Sequence, residues 1–178
     1  HSLRRRQRQM CIRDRFMREG SKFLQLEPPK DIYEAINSLL IFYKNVPSVT
    51  NYPVYLGNID ELLEPFMDDV DEAQAKKLFK LFFTHIDRTV LDSFSHADIG
   101  PKATRAGRLI LEVERELLDA VPNITMKYDT DITPDDFGIE CVKTALKTAK
   151  PSFANHKMFK KELGENYVIA SCYNGLLL

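Results

Sequence analysis

The chain has 178 residues, of which 44% are hydrophobic and 29% charged, with a formal net charge of −1. That length suits one domain or part of a larger one, and the composition supports a buried core rather than generic disorder. No apolar run approaches the length of a membrane span, and the N-terminus lacks the apolar segment of a secretory signal. With only 7 Gly and 9 Pro, collagen-like and low-complexity classes are excluded.

Charge is unevenly spread. Residues 1–18 carry seven Arg and one acid, a balance of +6, which leaves the remainder at −7. An Arg-rich arm attracts phosphate, so a nucleic-acid binder is one reading of this head. Another comes from Gln9-Met10-Cys11-Ile12-Arg13-Asp14-Arg15, which resembles translated sequencing-adapter read-through. On that reading residues 1–18 are a disordered artefact outside the fold, and the domain is 19–178. The three cysteines, Cys11, Cys141 and Cys172, are odd in number and far apart. They argue against a disulfide framework and for a reducing, cytoplasmic setting.

Taken in chain order, the body begins with a helix over 31–46. Asp31 and Glu34 have capping-box spacing, Ile32, Ala35, Ile36, Leu39, Leu40 and Tyr43 form a stripe, and Pro47 is the expected stop. After a turn-rich link, Asn58 and Glu61 open a short helix from Ile59 to Met67, with Pro65 bending it. The longest expected helix covers 71–94. Leu78, Phe82, Ile86, Val90 and Phe94 repeat every four residues, and Phe79, Leu81 and Phe83 widen the stripe toward burial on more than one side. Gly100-Pro101 separates it from a helix over 102–120.

Beyond Pro122 the pattern changes. Ile124–Tyr128 alternates as a short strand. Thr133-Pro134 starts a helix reaching about Lys150, with Thr as N-cap and Pro at the first helical position. A short helix occupies 156–163. Tyr167–Cys172 is strand-like, and Asn174-Gly175 signals a turn. The body is thus helical first and strand–helix–strand last. Two short strands make no stable sheet alone, and the chain stops on Leu176-Leu177-Leu178. The expectation is the N-terminal piece of a longer α/β protein, mostly helical in this part.

Cys172 stands out among reactive groups because it closes an apolar strand before a Gly-containing turn. A buried, inert thiol is the alternative, since nothing adjacent would lower its pKa and His156 is sixteen positions away. His96-Ala97-Asp98 could share a metal if it lies in a loop. His85-Ile86-Asp87 on a helix could not easily do so. Asp129, Asp131, Asp135 and Asp136 lack calcium-loop spacing and read as capping acids. Ala103–Arg108 reads as an ordinary helix start more readily than as an anion site.

The order of segments carries a resemblance. Val121–Tyr128, Thr133-Pro134, Lys150-Pro151-Ser152-Phe153-Ala154-Asn155-His156 and Tyr167–Cys172 resemble, in sequence and order, the glycyl radical enzymes of the pyruvate formate-lyase type. Upstream, Gly57-Asn58-Ile59-Asp60 with Pro65 is similar to that family's Gly-x-x-Asp-x-x-x-x-Pro segment. Ser-Cys-Tyr-Asn-Gly looks most like the YjjI-type branch. The resemblance implies a ten-stranded α/β barrel, of which this chain supplies the N-terminal helices and first strands. It implies Cys172 as the thiyl site, with His156, Tyr173 and Asn174 as substrate-pocket candidates. It further implies a glycyl radical on a downstream loop absent from this chain, a radical-SAM activating enzyme, a small-molecule substrate and a homodimer. The chain itself is expected to bind no cofactor or metal, no nucleic acid and no membrane, and to be inactive alone. Ser171 stands where pyruvate formate-lyases have a second cysteine. Asn174 stands where diol dehydratases have Glu. Acyl relay and Glu-based elimination are therefore not implied. A non-catalytic helical interaction module is the rival reading, and it expects the Phe-rich helix to be hidden in a self-sufficient fold.

Overall fold

The computed structural model describes residues 12–49, 54–89, 95–120, 122–164, 167 and 169. Residues 12–19 form helix α1. Helix α2 follows (Ile32–Val49), then strand β1 (Val54–Asn58), helix α3 (Ile59–Leu63) and a 3-10 turn at Glu64–Phe66. Helix α4 is Glu72–Thr89, strand β2 Ser95–Ile99 and helix α5 Arg105–Leu117. Strand β3 (Asn123–Tyr128), helix α6 (Asp135–Thr148), strand β4 (Ser152–Asn155) and helix α7 (His156–Leu163) complete the order.

The strands form one parallel sheet in the order β1-β2-β3-β4. Parallel neighbours need long crossovers, and here helices supply each one. One face of the sheet, built by Val54, Leu56, Ala97, Ile99, Ile124 and Met126, belongs to the apolar core. Against it pack Ile36, Leu39 and Phe42 of α2, Phe79, Phe83 and Ile86 of α4, and Leu109, Ile110 and Val113 of α5. Phe137 and Cys141 of α6 join the same core. Sequential strands with their crossover helices on one side are the arrangement of a barrel wall rather than of a doubly wound sheet.

Two of the expected elements are placed as read: the strand at 124–128 and the helix at 156–163. Others are corrected. The opening part of the body is not purely helical, because β1 and β2 are strands within it, and β4 adds a strand beyond those expected. Ser95–Ile99, between the helix expected to reach 94 and Gly100-Pro101, is strand β2; α4 ends at Thr89, and positions 90–94 lie outside the described residues. Leu81 is exposed while Phe79, Phe82, Phe83 and Ile86 are buried, so α4 presents one broad stripe to α2 and α5. Helix α2 runs past the expected stop at Pro47 and ends at Val49. Its start is as expected: Asp31 Oδ1 accepts from Glu34 N at 2.8 Å, and Glu34 reaches back to Lys30 N at 2.8 Å. The helix after β3 starts one residue late, with Pro134 as its cap. Thr133 is drawn away, since its hydroxyl donates to the Pro101 carbonyl at 2.9 Å and accepts from Asp129 N at 3.1 Å. The helix expected over 59–67 breaks at Glu64, where Pro65 shifts it to a 3-10 turn.

In the stretch set apart by its charge, Phe16 and Met17 of α1 lie in the main core and Arg13 is buried. The Arg13 guanidinium meets the Leu56 carbonyl.

The Gly57…Asp60…Pro65 segment has a mechanical role. Gly57 takes φ +71° at an irregularity in the β1–β2 register, a conformation L side chains rarely adopt. This turns the chain into α3 and buries Asp60. Asp60 Oδ2 then accepts from Gly100 N at 2.9 Å and Thr104 Oγ1 at 3.1 Å, pinning the β2–α5 loop. Thr104 caps α5 by accepting from Gly107 N at 2.9 Å. Burial is the main cause that pushes the Asp60 carboxyl up to about 7, against lowering by its hydrogen bonds.

Folding thus raises this pKa from 3.8 to about 7. Below pH 4 both states hold the proton and there is no penalty. Between roughly pH 4 and 7 the unfolded chain ionises first, so stability falls as pH rises, and it levels off above 7. The penalty is on the order of 4 kcal/mol when complete. Asp60→Asn keeps one acceptor oxygen and cannot ionise. Its unfolding free energy, measured by urea titration, should match the wild type near pH 4 and exceed it by a few kcal/mol at pH 8. Parallel pH curves for the two proteins would refute this account.

Candidate functional site

The second face of the sheet is built differently from the first. Because β-strand side chains alternate, the register that aims Val54, Ala97 and Ile124 at the core aims Tyr55, His96, Asp98, Thr125 and Lys127 the other way. All five are buried. Parallel sheets are normally apolar on both faces, so this concentration of polar groups calls for partners.

Asp98 stands at the centre, fully buried toward the carboxyl end of β2. Its Oδ2 accepts from the Tyr55 hydroxyl and lies 3.0 Å from Lys127 Nζ. Lys127 Nζ also donates to Asn58 Oδ1 at 2.6 Å. It lies 4.6 Å from the centroid of the Tyr167 ring, a cation–π contact. Burial raises the Asp98 carboxyl above its ordinary range, against the lowering pull of Lys127 and of the hydrogen bonds it receives. The Tyr55 phenol is raised well above its usual value by burial first and the Asp98 charge second. Asp98 Oδ1 has no hydrogen-bond partner.

Tyr167 extends the cluster toward α7. Its hydroxyl lies 2.6 Å from His156 Nδ1, and its ring stacks on Phe159 with centroids 5.6 Å apart. Burial pushes the Tyr167 phenol up, with the Asp98 charge adding to it. His156 is the first residue of α7, whose cap Asn155 accepts from Met158 N at 3.0 Å. Tyr167 and Ile169 pack with Ala154 as a small core of their own on this side.

Of the site residues read from the sequence, His156 is placed beside this polar face. Cys172, Tyr173 and Asn174 lie outside the described residues. His96 and Asp98 lie on a strand, not in a loop, and share a face for that reason; Asp98 is engaged by Tyr55 and Lys127. No group of three His, Cys, Asp or Glu side chains suited to a metal occurs among the described residues. Asp129, Asp131 and Asp136 act as turn and ion-pair groups: Asp129 accepts from Asp131 N at 2.9 Å, Asp131 pairs with Lys157 at 2.5 Å and Asp136 with Arg108 at 2.5 Å. The start of α5 is already met by a carboxylate of the chain, since Ala106 N donates to Glu64 Oε2 at 2.8 Å. Cys141 sits in the core behind the sheet's apolar face, and burial pushes its thiol up to about 12. The sequence reading missed Tyr55, Asp98 and Lys127 as a group. The available signal was polar residues at alternate positions in three strands.

Exposed apolar side chains gather elsewhere. Ile139, Val142 and Phe153 line a groove of about 490 Å³ beside β4, with Leu146 open to solvent nearby. Helix α4 buries Phe79, Phe82 and Phe83 and leaves Leu81 exposed, whereas this groove is open along its length.

A parallel α/β wall with its core on one face and convergent polar groups near the strands' carboxyl ends on the other is the design of barrel-type enzyme scaffolds. Comparison with known proteins narrows this. The model of the family described as "Glycyl radical enzyme YjjI-like" matches residues 6–178. A Haemophilus influenzae protein described as "Uncharacterized protein" is 49% identical over 161 residues, 90% of this chain and 31% of its own length. The "Uncharacterized protein YjjI" of Escherichia coli K12 is 42% identical over 165 residues, 92% of this chain and 32% of its own. The chain belongs to the YjjI-like glycyl radical enzyme family, and it spans about a third of the length of the curated relatives it matches.

The ion pair at the centre of the site sets a stability expectation. Lys127→Met strands a buried carboxylate and should lower the unfolding free energy by about 3–5 kcal/mol. Replacing both partners, with Lys127→Met and Asp98→Leu together, removes the stranded charge and should recover part of that loss in chemical denaturation. An additive double variant would contradict the pairing.

Proposed function

We propose that this chain is the N-terminal part of a glycyl radical enzyme in which Cys172 carries a transient thiyl radical that abstracts hydrogen from a small organic substrate. The observation that carries the reading is the family match over residues 6–178, which runs through the Tyr167–Cys172 segment. On this reading the sheet is the first part of a ten-stranded barrel, and its polar face looks into the reaction chamber. His156, Tyr173 and Asn174 border the substrate. The radical glycine lies further along the longer protein and is installed by a radical-SAM activating enzyme. The active form is a cytoplasmic homodimer.

The chemistry suits a cysteine without a base. The glycine radical takes a hydrogen atom from Cys172, so one Cα–H bond forms as the S–H bond breaks. The sulfur radical then takes hydrogen from a substrate C–H bond, re-forming S–H and leaving the radical on the substrate. The steps reverse after rearrangement. Sulfur stays uncharged throughout, so no His or Lys is needed to stabilise a thiolate, in contrast to a nucleophilic cysteine. Ser171 in place of a second cysteine removes an acyl carrier from this position.

The relay can be tested without knowing the substrate. In the full-length protein, activated under anoxia, the glycine radical should give an EPR doublet from its one remaining α-hydrogen. In heavy water the Cys172 thiol becomes S–D. Exchange of hydrogen between glycine and sulfur then carries deuterium onto the glycine, and the doublet should collapse to a singlet. Cys172→Ala should keep the doublet, whereas Cys141→Ala should still allow collapse. Collapse at the wild-type rate in Cys172→Ala would exclude the relay.

A further inference from the structure

We propose that Asp98 is a substrate-contacting residue whose Oδ1 accepts a hydrogen bond from an uncharged O–H or N–H group of the ligand, with Lys127 and Tyr55 as positioning residues. The inference rests on the reading that this face of the sheet lines the reaction chamber.

The first ground is the unequal treatment of the two carboxylate oxygens. Oδ2 receives Tyr55 and Lys127, while Oδ1, equally buried, receives nothing. A buried acceptor without a donor is costly; Asp60 Oδ1 shares this state, but Asp98 Oδ1 is the carboxylate oxygen so placed on the polar face of the sheet, where a donor arriving from a ligand would satisfy it. The second ground is position. Asp98 precedes only Ile99 in β2, and Lys127 only Tyr128 in β3, so both sit near the carboxyl ends of neighbouring parallel strands. Open and closed parallel sheets alike gather their ligands at that edge.

Charge then selects the ligand. The Lys127 ammonium is matched by the Asp98 carboxylate at 3.0 Å and held by Asn58 Oδ1 at 2.6 Å. The pair carries no net charge to draw an anion, and the buried Arg13, whose charge also reaches Asp98, is itself paired with Asp14 at 2.5 Å. A ligand carboxylate placed at Oδ1 would bring acceptor against acceptor. An alcohol or amide donor meets no such conflict, and the Tyr167 ring beside Lys127 offers an apolar surface. Tyr55 and Lys127 hold Oδ2 and thereby orient Oδ1; neither needs to touch the ligand.

The test uses the full-length protein and four probes: acetamide as N–H donor, ethylene glycol as O–H donor, glycolamide as both, and acetate as the isosteric anion without a donor. Binding is followed by ligand-observed NMR and by the thermal midpoint. Wild-type protein should hold the best donor probe roughly tenfold more tightly than acetate, the value of one well-made hydrogen bond. Comparing acetamide with ethylene glycol shows which donor the site takes. Asp98→Asn should invert the order. Its amide oxygen can keep Tyr55 and Lys127, its NH2 then points where Oδ1 was, and the ammonium is no longer neutralised. Acetate should therefore bind the variant best and raise its thermal midpoint, an inversion that a purely structural role would not produce. The wild-type preference stands as a measurement even if the variant folds poorly. The proposal is overturned if no donor probe binds the wild type, if acetate binds it equally well, or if the variant keeps the wild-type order. The heavy-water EPR exchange on the same samples separates the two claims. A wild type that fails the exchange yet holds the donor probe above acetate, with the order inverted in Asp98→Asn, loses only the radical chemistry.

Discussion

A buried carboxylate beside a buried ammonium is an unusual thing to find on a parallel sheet, and most of this structure is arranged around it. Asp98 and Lys127 lie on adjacent strands, and neither is tolerable there alone. Tyr55 and Asn58 come from a third strand to complete the hydrogen bonds. The Tyr167 ring covers the ammonium from the far end of the described chain. Three strands must therefore be in register before the charges are satisfied. The helices on the opposite face supply the apolar burial that holds that register.

Two buried carboxylates share this small sheet, and they do different work. Asp60 is spent on backbone, tying the β2–α5 loop through Gly100 N and the cap residue Thr104. Asp98 is spent on side chains, and each of the two carboxylates leaves its Oδ1 without a hydrogen-bond partner. The first explains why a Gly-x-x-Asp segment follows β1: the glycine permits the turn, and the aspartate fastens what the turn brings close. Both carboxyls are pushed upward by burial, but only Asp98 has a cation at hand to oppose the shift.

Membership of the YjjI-like glycyl radical enzyme family gives these groups a setting. On the proposed radical reading, hydrogen-atom transfer places few demands on charge near the sulfur. It places strong demands on where the substrate's C–H bond lies, because a radical that meets the wrong bond is lost. A rigid strand-borne cluster such as Tyr55–Asp98–Lys127 is suited to that positioning task. The exposed apolar groove beside β4 is the wrong chemistry for it and lies on the helical side of the sheet.

Much of the helical content was legible in the sequence, because caps and four-residue stripes are local signals. Asp31 accepts from the backbone three residues on, as its spacing from Glu34 suggests, and Asp71 and Asn155 do the same. The family resemblance was legible too, since it rests on the order of short segments. What escaped was β1, β2 and β4, and with them the site. His96 and Asp98 look like loop residues when polarity is taken to mean solvent. Only the paired strands show that these alternate positions face inward on a second buried side, where polarity means mutual satisfaction. Hydrogen bonds between residues 29 to 69 positions apart, such as Tyr55 to Asp98 and Lys127 to Asn58, leave no periodic trace along the chain. By itself the sequence determined roughly where most of the helices lie and to which family the chain belongs. Tertiary structure alone decided which polar side chains meet, because that depends on strand register, a property of pairs of segments and of neither one separately.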